Sequence, residues 1–275
     1  MGACRSSRRS SPGRPARWIA SPGGAASRAA RDRRARRHPD APPPGEPLRH
    51  ADGRPAAAPG AFLLDDGKEL VLVDTLFEPD GRGVLAGLEA IGRPVTDLRH
   101  IVLTHAHRSH LGGLAALKRL SGATVYAHEG EADIVAGERR AQPVTLRPTQ
   151  SLRLVPFQVG LWLAKPAHVP CRVDHFVAEG DRIGPLHVLH APGHSPGHLA
   201  FSWPERRLVL VGDAICTWPF LGAGWRAFNL NRTQHRTSLR RLAELEADVI
   251  GVGHGAPITS GARALVRDLV DREAG

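Results

Sequence analysis

Cysteine, lysine and long apolar runs are all scarce in this chain of 275 residues. Its three cysteines, Cys4, Cys171 and Cys216, lie far apart, so neither a disulfide framework nor a cysteine-based zinc site is predicted. No apolar run of about 18 residues occurs, and no membrane-spanning helix is expected. The N-terminal region also lacks the apolar core of about 7–15 residues that a secretory signal needs. Reduced thiols and the missing signal together favour the cytoplasm.

Positive charge is concentrated at the N-terminus. The formal net charge is +10, but residues 1–50 alone hold 12 arginines, no lysine and three acidic residues, a net charge of +9. The remaining residues therefore carry only +1, and this balance predicts no nucleic-acid partner. Residues 1–58 are rich in Arg, Pro and Ala with almost no apolar periodicity, which predicts a disordered tail. An organelle transit peptide and a natural start further downstream are the alternatives.

Strand and helix patterns alternate from residue 59 onward. Apolar, β-branched runs predict strands at 61–64, 69–74, 100–104, 124–127, 186–189, 208–211 and 249–252. Helical spacing predicts helices at 83–91, 114–120, 129–135, 236–245 and 262–270. This alternation favours two sheets of mixed strand direction, covered by helices on both sides. No strand pattern is evident before residue 59, which leaves open whether the first sheet lacks an N-terminal strand.

Three histidines within six residues form the most distinctive motif. His105, His107 and His110 follow the predicted strand at 100–104 and precede the predicted helix at 114–120, so they lie on a turn where side chains can converge. Imidazole is the commonest protein ligand for zinc, and three protein ligands plus a water make a catalytic zinc site. The alternative is a polar loop whose histidines are only solvated.

Three further residues of ligand type follow apolar strands downstream. His194, Asp213 and His254 come after the strands at 186–189, 208–211 and 249–252, and each lies beside glycines that permit close backbone packing. One such element is weak evidence for a metal site. Together with the histidine loop, these three residues make four ligand-bearing elements in order. Such a series predicts that distant parts of the chain meet around one metal centre.

With Asp74 after the apolar residues 71–73, this order of motifs resembles that of the metallo-β-lactamase superfamily over residues 59–275. The resemblance implies one α/β domain, an αββα sandwich of two mixed β-sheets flanked by helices. It also implies a first metal held by His105, His107 and His194. A second metal would be held by position 109, His110 and His254, with Asp213 bridging both metals and Asp74 orienting the histidine loop.

One position departs from the family pattern. The family loop has an aspartate where this chain has Ser109. A serine hydroxyl is a poor ligand beside a carboxylate, and it cannot accept a charge-assisted hydrogen bond as a carboxylate does. We therefore expect one or two zinc ions per chain, with the second site weakened. Alternatively, the more positive centre prefers an anionic substrate.

These ligands predict a zinc-dependent hydrolase of a small-molecule ester, thioester, lactone or related substrate. Zinc makes hydroxide available at neutral pH, Asp213 would fix the metal spacing, and Ser109 would stand where the family orients its nucleophile. Two alternatives stay open: a degenerate, non-hydrolytic binding protein, and an iron-dependent oxidoreductase of the same fold. The sequence names neither the substrate nor the oligomeric state.

Two other segments are candidates for shaping the site. Residues 141–170 contain five prolines among apolar residues and resemble an insertion, either a loop with a short helix or an apolar lid over the metal cleft. After Asp213, aromatic residues either line the pocket or only pack, and two arginines are candidate anion contacts; these are Trp218, Phe220, Trp225, Phe228, Arg226 and Arg232. His198 is expected to hydrogen-bond within its own loop.

Overall fold

The computed structural model describes residues 17–20, 60–67, 69–141, 155–164 and 167–274. Within these ranges, no helix is long and apolar enough to cross a membrane. The predicted disorder of residues 1–58 falls outside the described residues, except at one short strand, Arg17–Ala20. Half of the predicted insertion at 141–170 also lies outside them, but one helix within it, Val155–Ala164, is described.

The first sheet contains six strands among the described residues, and their order in the sheet is the same as their order in the sequence. They are β1 (Arg17–Ala20), β2 (Gly60–Asp65), β3 (Leu70–Val73), β4 (Leu98–Val102), β5 (Thr124–Ala127) and β6 (His175–Phe176). The pairs β1–β2 and β2–β3 are antiparallel, and β3 to β6 run parallel to one another. Parallel strands need crossover connections, and each of the three in this sheet contains at least one helix.

The second sheet has five strands within the same ranges: β7 (Arg182–Ile183), β8 (Leu186–His190), β9 (Leu199–Trp203), β10 (Leu208–Leu210) and β11 (Val249–Gly251). The strands β7 to β10 are antiparallel, whereas β11 lies parallel to β10 at the edge. Both sheets are therefore mixed, as predicted.

Seven helices flank the sheets in the described part of the chain: α1 (Arg82–Ala90), α2 (Arg108–Leu111), α3 (Leu114–Ser121), α4 (Glu129–Val135), α5 (Val155–Ala164), α6 (Arg232–Ala243) and α7 (Ala262–Ala274). The buried apolar residues form three layers, one between the sheets and one under the helices on each side. Strand alternation produces this division, since Leu63 and Leu72 face the helices while Phe62 and Val73 face the other sheet. The predicted αββα sandwich is confirmed.

The sequence left one edge of the first sheet open, and one helix boundary differs from expectation. The edge of the first sheet carries β1, where Arg17, Trp18 and Ile19 pair antiparallel with residues of β2, so this edge extends one strand beyond β2. Trp18 and Ile19 are aromatic and β-branched, the types that favour strands. Helix α6 begins at Arg232 rather than 236, because the Asn231 side chain accepts a hydrogen bond from the Gln234 amide and caps the helix.

Candidate metal centre

The ends of strands from both sheets supply the side chains of the centre. His105 and His107 lie in the loop after β4, and His110 lies on α2, the next element. His194 lies in the loop between β8 and β9, whereas Asp213 and His254 follow β10 and β11. In each case the ligand residue lies beyond the end of the strand, in the loop or helix that follows it.

Four ligand atoms converge to form the first group of the centre. The His107 Nδ1 lies 2.9 Å from the His105 Nε2 and 3.1 Å from the His194 Nε2. The Asp213 Oδ2 is 3.8 Å from the His105 Nε2 and 3.6 Å from the His194 Nε2. Atoms about 2 Å from one zinc ion lie about 3–4 Å from one another. The spacing of this group therefore suits a single divalent cation.

Hydrogen bonds on the far side of two rings fix which nitrogen faces the group. The Thr104 hydroxyl donates to Asp74 and is 3.0 Å from the His105 Nδ1, so it accepts the proton of that nitrogen. The His194 Nδ1 donates to the Asn229 Oδ1 at 3.0 Å. Both Nε2 atoms therefore direct lone pairs at the His107 Nδ1, which can offer at most one proton to two acceptors. A cation satisfies all three nitrogens at once.

The second group consists of His110, His254 and the same Asp213. The His110 Nε2 is 3.2 Å from the Asp213 Oδ1, and the His254 Nε2 is 3.5 Å from the Asp213 Oδ2. Ligand atoms of these three residues lie within 4.8 Å of one another, as do those of the first group. Asp213 is the member common to both groups, so one carboxylate faces two sets of imidazoles.

Asp74 holds the histidine loop from behind. Its carboxylate accepts hydrogen bonds from the Thr104 amide, the Thr104 hydroxyl and the His110 Nδ1, each at 2.8 Å. The residue is only 1% exposed, and its backbone lies in the left-handed region at φ 61°, which is uncommon for a residue other than glycine. Strained residues of this kind cluster at functional sites.

Burial and neighbouring charge set the protonation of the centre. Burial lowers the pKa of His107 to about 4 and that of His194 to about 3, so both rings are neutral at pH 7. Burial also opposes a charge on His110, but Asp213 and Asp74 outweigh it and raise the pKa to about 10. Burial alone would raise the pKa of Asp213, yet the surrounding imidazoles hold it well below its usual range.

The structure brings together all six residues that the sequence suggested as ligands: His105, His107, His110, His194, Asp213 and His254. Ser109 is half-buried on α2 beside His110. Metal binding by these six residues, and a catalytic part for Asp213 and Ser109, stay predictions.

An aromatic wall lies against both groups, formed by Trp218, Trp225 and Phe228. The Trp225 ring stacks on His254, with centroids 4.9 Å apart, and the Phe228 ring meets the edge of His107 at 5.6 Å. Trp218 packs on Trp225 at 5.4 Å. These contacts place aromatic surface directly beside the two groups.

Other candidates lie away from the centre or act differently than expected. Arg226 pairs with Glu273 of α7 at 2.9 Å, and Arg232 is the exposed first residue of α6. His198 is fully buried; its amide donates to the Ser195 carbonyl within its own loop, and its Nε2 also accepts a hydrogen bond from the Asp213 amide at 3.2 Å. Burial raises the pKa of the Cys216 thiol, which keeps it protonated.

Sequence reasoning missed Thr104 and Asn229, which orient the ligand rings. Thr104 directly precedes His105, so its position beside the motif was a usable signal. Asn229 lies 35 residues after His194 with no local pattern to mark it.

Comparison with known proteins supports the same family. The model of the metallo-beta-lactamase superfamily matches residues 59–254. The chain is 27% identical over 213 residues to the uncharacterized protein YobT of Bacillus subtilis, covering 73% of this chain and 85% of that one. It is 31% identical to a hydroxyacylglutathione hydrolase of Cereibacter sphaeroides, covering 69% of this chain but only 59% of that enzyme.

A solved structure has the same architecture. TTHA1623 in a di-iron-bound form superposes with a TM-score of 0.58 at 27% identity, covering 81% of this chain and 97% of that one. The match to the family model, the two mixed sheets and the order of the motifs all indicate the same family. The chain belongs to the metallo-beta-lactamase superfamily.

Proposed function

We propose that this protein is a zinc-dependent hydrolase. One cation binds between His105, His107 and His194, and a weaker second site lies between His110 and His254. The observation that carries the proposal is the convergence of two imidazole lone pairs on the His107 Nδ1, beside an ionised Asp213. Such a donor set of nitrogen and carboxylate oxygen is typical of zinc.

A divalent cation in this centre supplies two things, a water acidic enough to react at neutral pH and stabilisation of the negative charge that develops during hydrolysis. The chain's own contribution is to hold the ligands. Asp213 faces both groups with its two oxygens and keeps them at a fixed separation. Thr104 and Asn229 keep two imidazoles in the tautomer with Nε2 unprotonated.

Ser109 stands where a carboxylate would complete the second group. Its hydroxyl can donate or accept one neutral hydrogen bond, but it carries no charge. Without that carboxylate, three side chains remain for the second cation. This number is enough for a catalytic zinc site, but the affinity falls with the loss of a charged ligand.

A thioester or ester with an apolar portion is the substrate class that this centre suits best. The wall of Trp218, Trp225 and Phe228 offers aromatic surface to a group attached at the reacting carbonyl. Hydroxyacylglutathione hydrolases among the relatives favour a thioester, although the chain spans only about three fifths of their length.

The test begins with metal-free protein loaded with zinc or with iron. Metal content per chain and the hydrolysis of esters, thioesters, lactones and hydroxyacylglutathione are then measured. His107→Ala removes the nitrogen on which the first group converges, and His175→Ala, an exposed histidine on β6, is the matched control.

Hydrolysis with zinc that is lost in His107→Ala but kept in His175→Ala supports the proposal. A preference for iron without hydrolysis favours the oxidoreductase alternative, for which the di-iron form of TTHA1623 is a precedent. Failure to bind either metal favours a degenerate binding protein.

A further inference from the structure

A buried carboxylate connects the two loops that carry the first group. Glu131 on α4 is 2% exposed. Its Oε2 accepts a hydrogen bond from the Ala106 amide and its Oε1 accepts one from the Gly197 amide, each at 2.9 Å. Ala106 lies between the ligands His105 and His107, and Gly197 lies in the loop that carries His194.

Among the described residues, no arginine or lysine forms an ion pair with this carboxylate. Arg139, on the turn after α4, donates to Asp133 at 2.9 Å and acts on Glu131 only through its charge. Burial raises the pKa of Glu131, and the Ser195 hydroxyl, the amides of Ala106 and Gly197 and the charge of Arg139 act in the opposite direction. A buried carboxylate is costly unless hydrogen bonds compensate it. Here the compensation comes from the backbone of the two ligand loops.

The approach of the second loop is close enough to require glycine. A Cβ added at Gly197 would lie 2.8 Å from the Glu131 Cγ and 3.0 Å from the Oε1. Real side chains do not approach so closely, so another residue here would push the His194 loop away from α4. Glycine at position 197 therefore permits the contact between Glu131 and the His194 loop.

We propose that Glu131 is a positioning residue that sets the separation of the His105–His107 loop from the His194 loop and thereby the affinity of the first group for its metal. The inference rests on the proposed metal site. Because Glu131 reaches both ligand loops through their backbone amides, it acts through the ligand residues and does not touch the cation. Partners of this kind outside the ligand shell change metal affinity by about 10–100-fold.

Two substitutions separate the parts of this role. Glu131→Gln keeps the size but turns an N–H toward one of the two amides, so one hydrogen bond is lost. Glu131→Asp keeps the charge but is one methylene shorter, so one carboxylate cannot reach both loops. The control is Glu129→Gln, an exposed glutamate on the same helix.

The dissociation constant for zinc is measured on the full chain by competition with a chromophoric chelator. We expect binding about 10–100-fold weaker in Glu131→Gln and Glu131→Asp, and unchanged in Glu129→Gln. The absorption spectrum of the cobalt-loaded protein should also change in both Glu131 variants, because the ligand geometry is altered. Zinc binding within about twofold of the wild type would overturn the inference, even if the metal-free variant unfolds more easily.

Hydrogen exchange on the wild type removes the dependence on variants that fail to fold. In metal-free protein, the amide protons of Ala106 and Gly197 should both be protected. Rapid exchange of either one would overturn the role of Glu131. If the wild type binds no zinc while both amides are protected, the proposed function fails instead.

Discussion

Neighbouring side chains decide which nitrogen of each ligand imidazole carries its proton. Asn229 accepts the proton of the His194 Nδ1, and its amide group in turn donates to the Ala223 carbonyl at 3.2 Å. The second bond fixes the orientation of the Asn229 side chain, so its oxygen has to face His194. The lone pair that faces the metal group is therefore set by a residue that is not itself a ligand.

Removing this partner should weaken metal binding. We expect Asn229→Ala to lower zinc affinity by about 10–100-fold, since His194 loses the acceptor that holds its ring and tautomer. Asn229→Asp keeps an acceptor and should lose less. A chelator competition titration measures both. Equal affinity in Asn229→Ala and the wild type would contradict the role given to this residue.

For Ser109 in the histidine loop, we expect a substitution to strengthen metal binding rather than weaken it. Ser109→Asp adds a carboxylate beside His110, so we expect tighter binding of the second cation, by about tenfold or more. Metal per chain at buffered zinc concentrations measures this, with Ser109→Asn as the neutral control of similar shape. No gain over Ser109→Asn would show that residue 109 does not face the second group.

Hydrolysis by the same variants adds a second readout. If serine is a defect, the Asp variant should hydrolyse ester and thioester probes faster. Activity that falls despite tighter metal binding would show that this enzyme works with serine at position 109.

At the scale of elements, the loop between β8 and β9 depends on its contact with α6. Gly193 has φ 126°, and a Cβ there would lie 2.2 Å from the His235 amide nitrogen. The Gly193 carbonyl also accepts a hydrogen bond from the Asn231 amide at 2.9 Å. The loop that carries His194 is thus packed directly against the start of a helix.

A methyl group at this contact should destabilise the fold. We expect Gly193→Ala to lower the free energy of unfolding by about 1–3 kcal/mol more than Gly180→Ala. Gly180 also has a positive φ, 90°, but nothing lies within 4 Å of its added Cβ, so it reports the backbone strain alone. Urea denaturation measures both variants. Equal losses would mean that the crowding against His235 has no energetic effect.

The elements that end at the site were the most predictable from sequence. Runs such as 208–211 and 249–252 are largely β-branched and apolar, and a ligand residue follows each one after a single glycine. The start of α6 was missed because its first turn, Arg232 to His235, has no apolar spacing. Asn231 was the available signal for the cap. The apolar lid proposed for residues 141–170 stays a prediction. Within that segment, Leu163 of α5 is 65% exposed.

The partners that support the ligands were not predictable in this way. Glu131 binds amides 25 and 66 residues away, and Asn229 lies 35 residues from its histidine. Almost every residue has a backbone amide, so the residue type does not show which amide will be a hydrogen-bond partner. Such contacts are recognised only in the folded chain. The ligands themselves are identifiable because their residue types are chemically distinctive.

On the scale of the whole molecule, the centre connects the two sheets. The histidine loop after β4 belongs to the first sheet, and Asp213 and His254 follow strands of the second. A cation held by residues from both sheets binds the folded chain and not the unfolded one. Metal binding and global stability should therefore be coupled.

Zinc should raise the free energy of unfolding of the whole domain. At a free zinc concentration about 100 times Kd, we expect about 2.7 kcal/mol of added stability, with a single unfolding transition moving to higher temperature. A chelator should reverse the shift, and His105→Ala should largely abolish it. Calorimetry with and without zinc measures the effect. A midpoint that does not depend on zinc would contradict coupling between the sheets.

The stacking of Trp225 on His254, at an interplanar angle of 20°, gives the protein an intrinsic optical reporter. When a cation withdraws electron density from that imidazole, the fluorescence yield of the overlying indole should change. Because Phe228 rather than a tryptophan adjoins His107, the signal should follow occupancy of the second position alone. Titrating wild type and Trp225→Phe side by side would then resolve the filling of the two positions without any added dye.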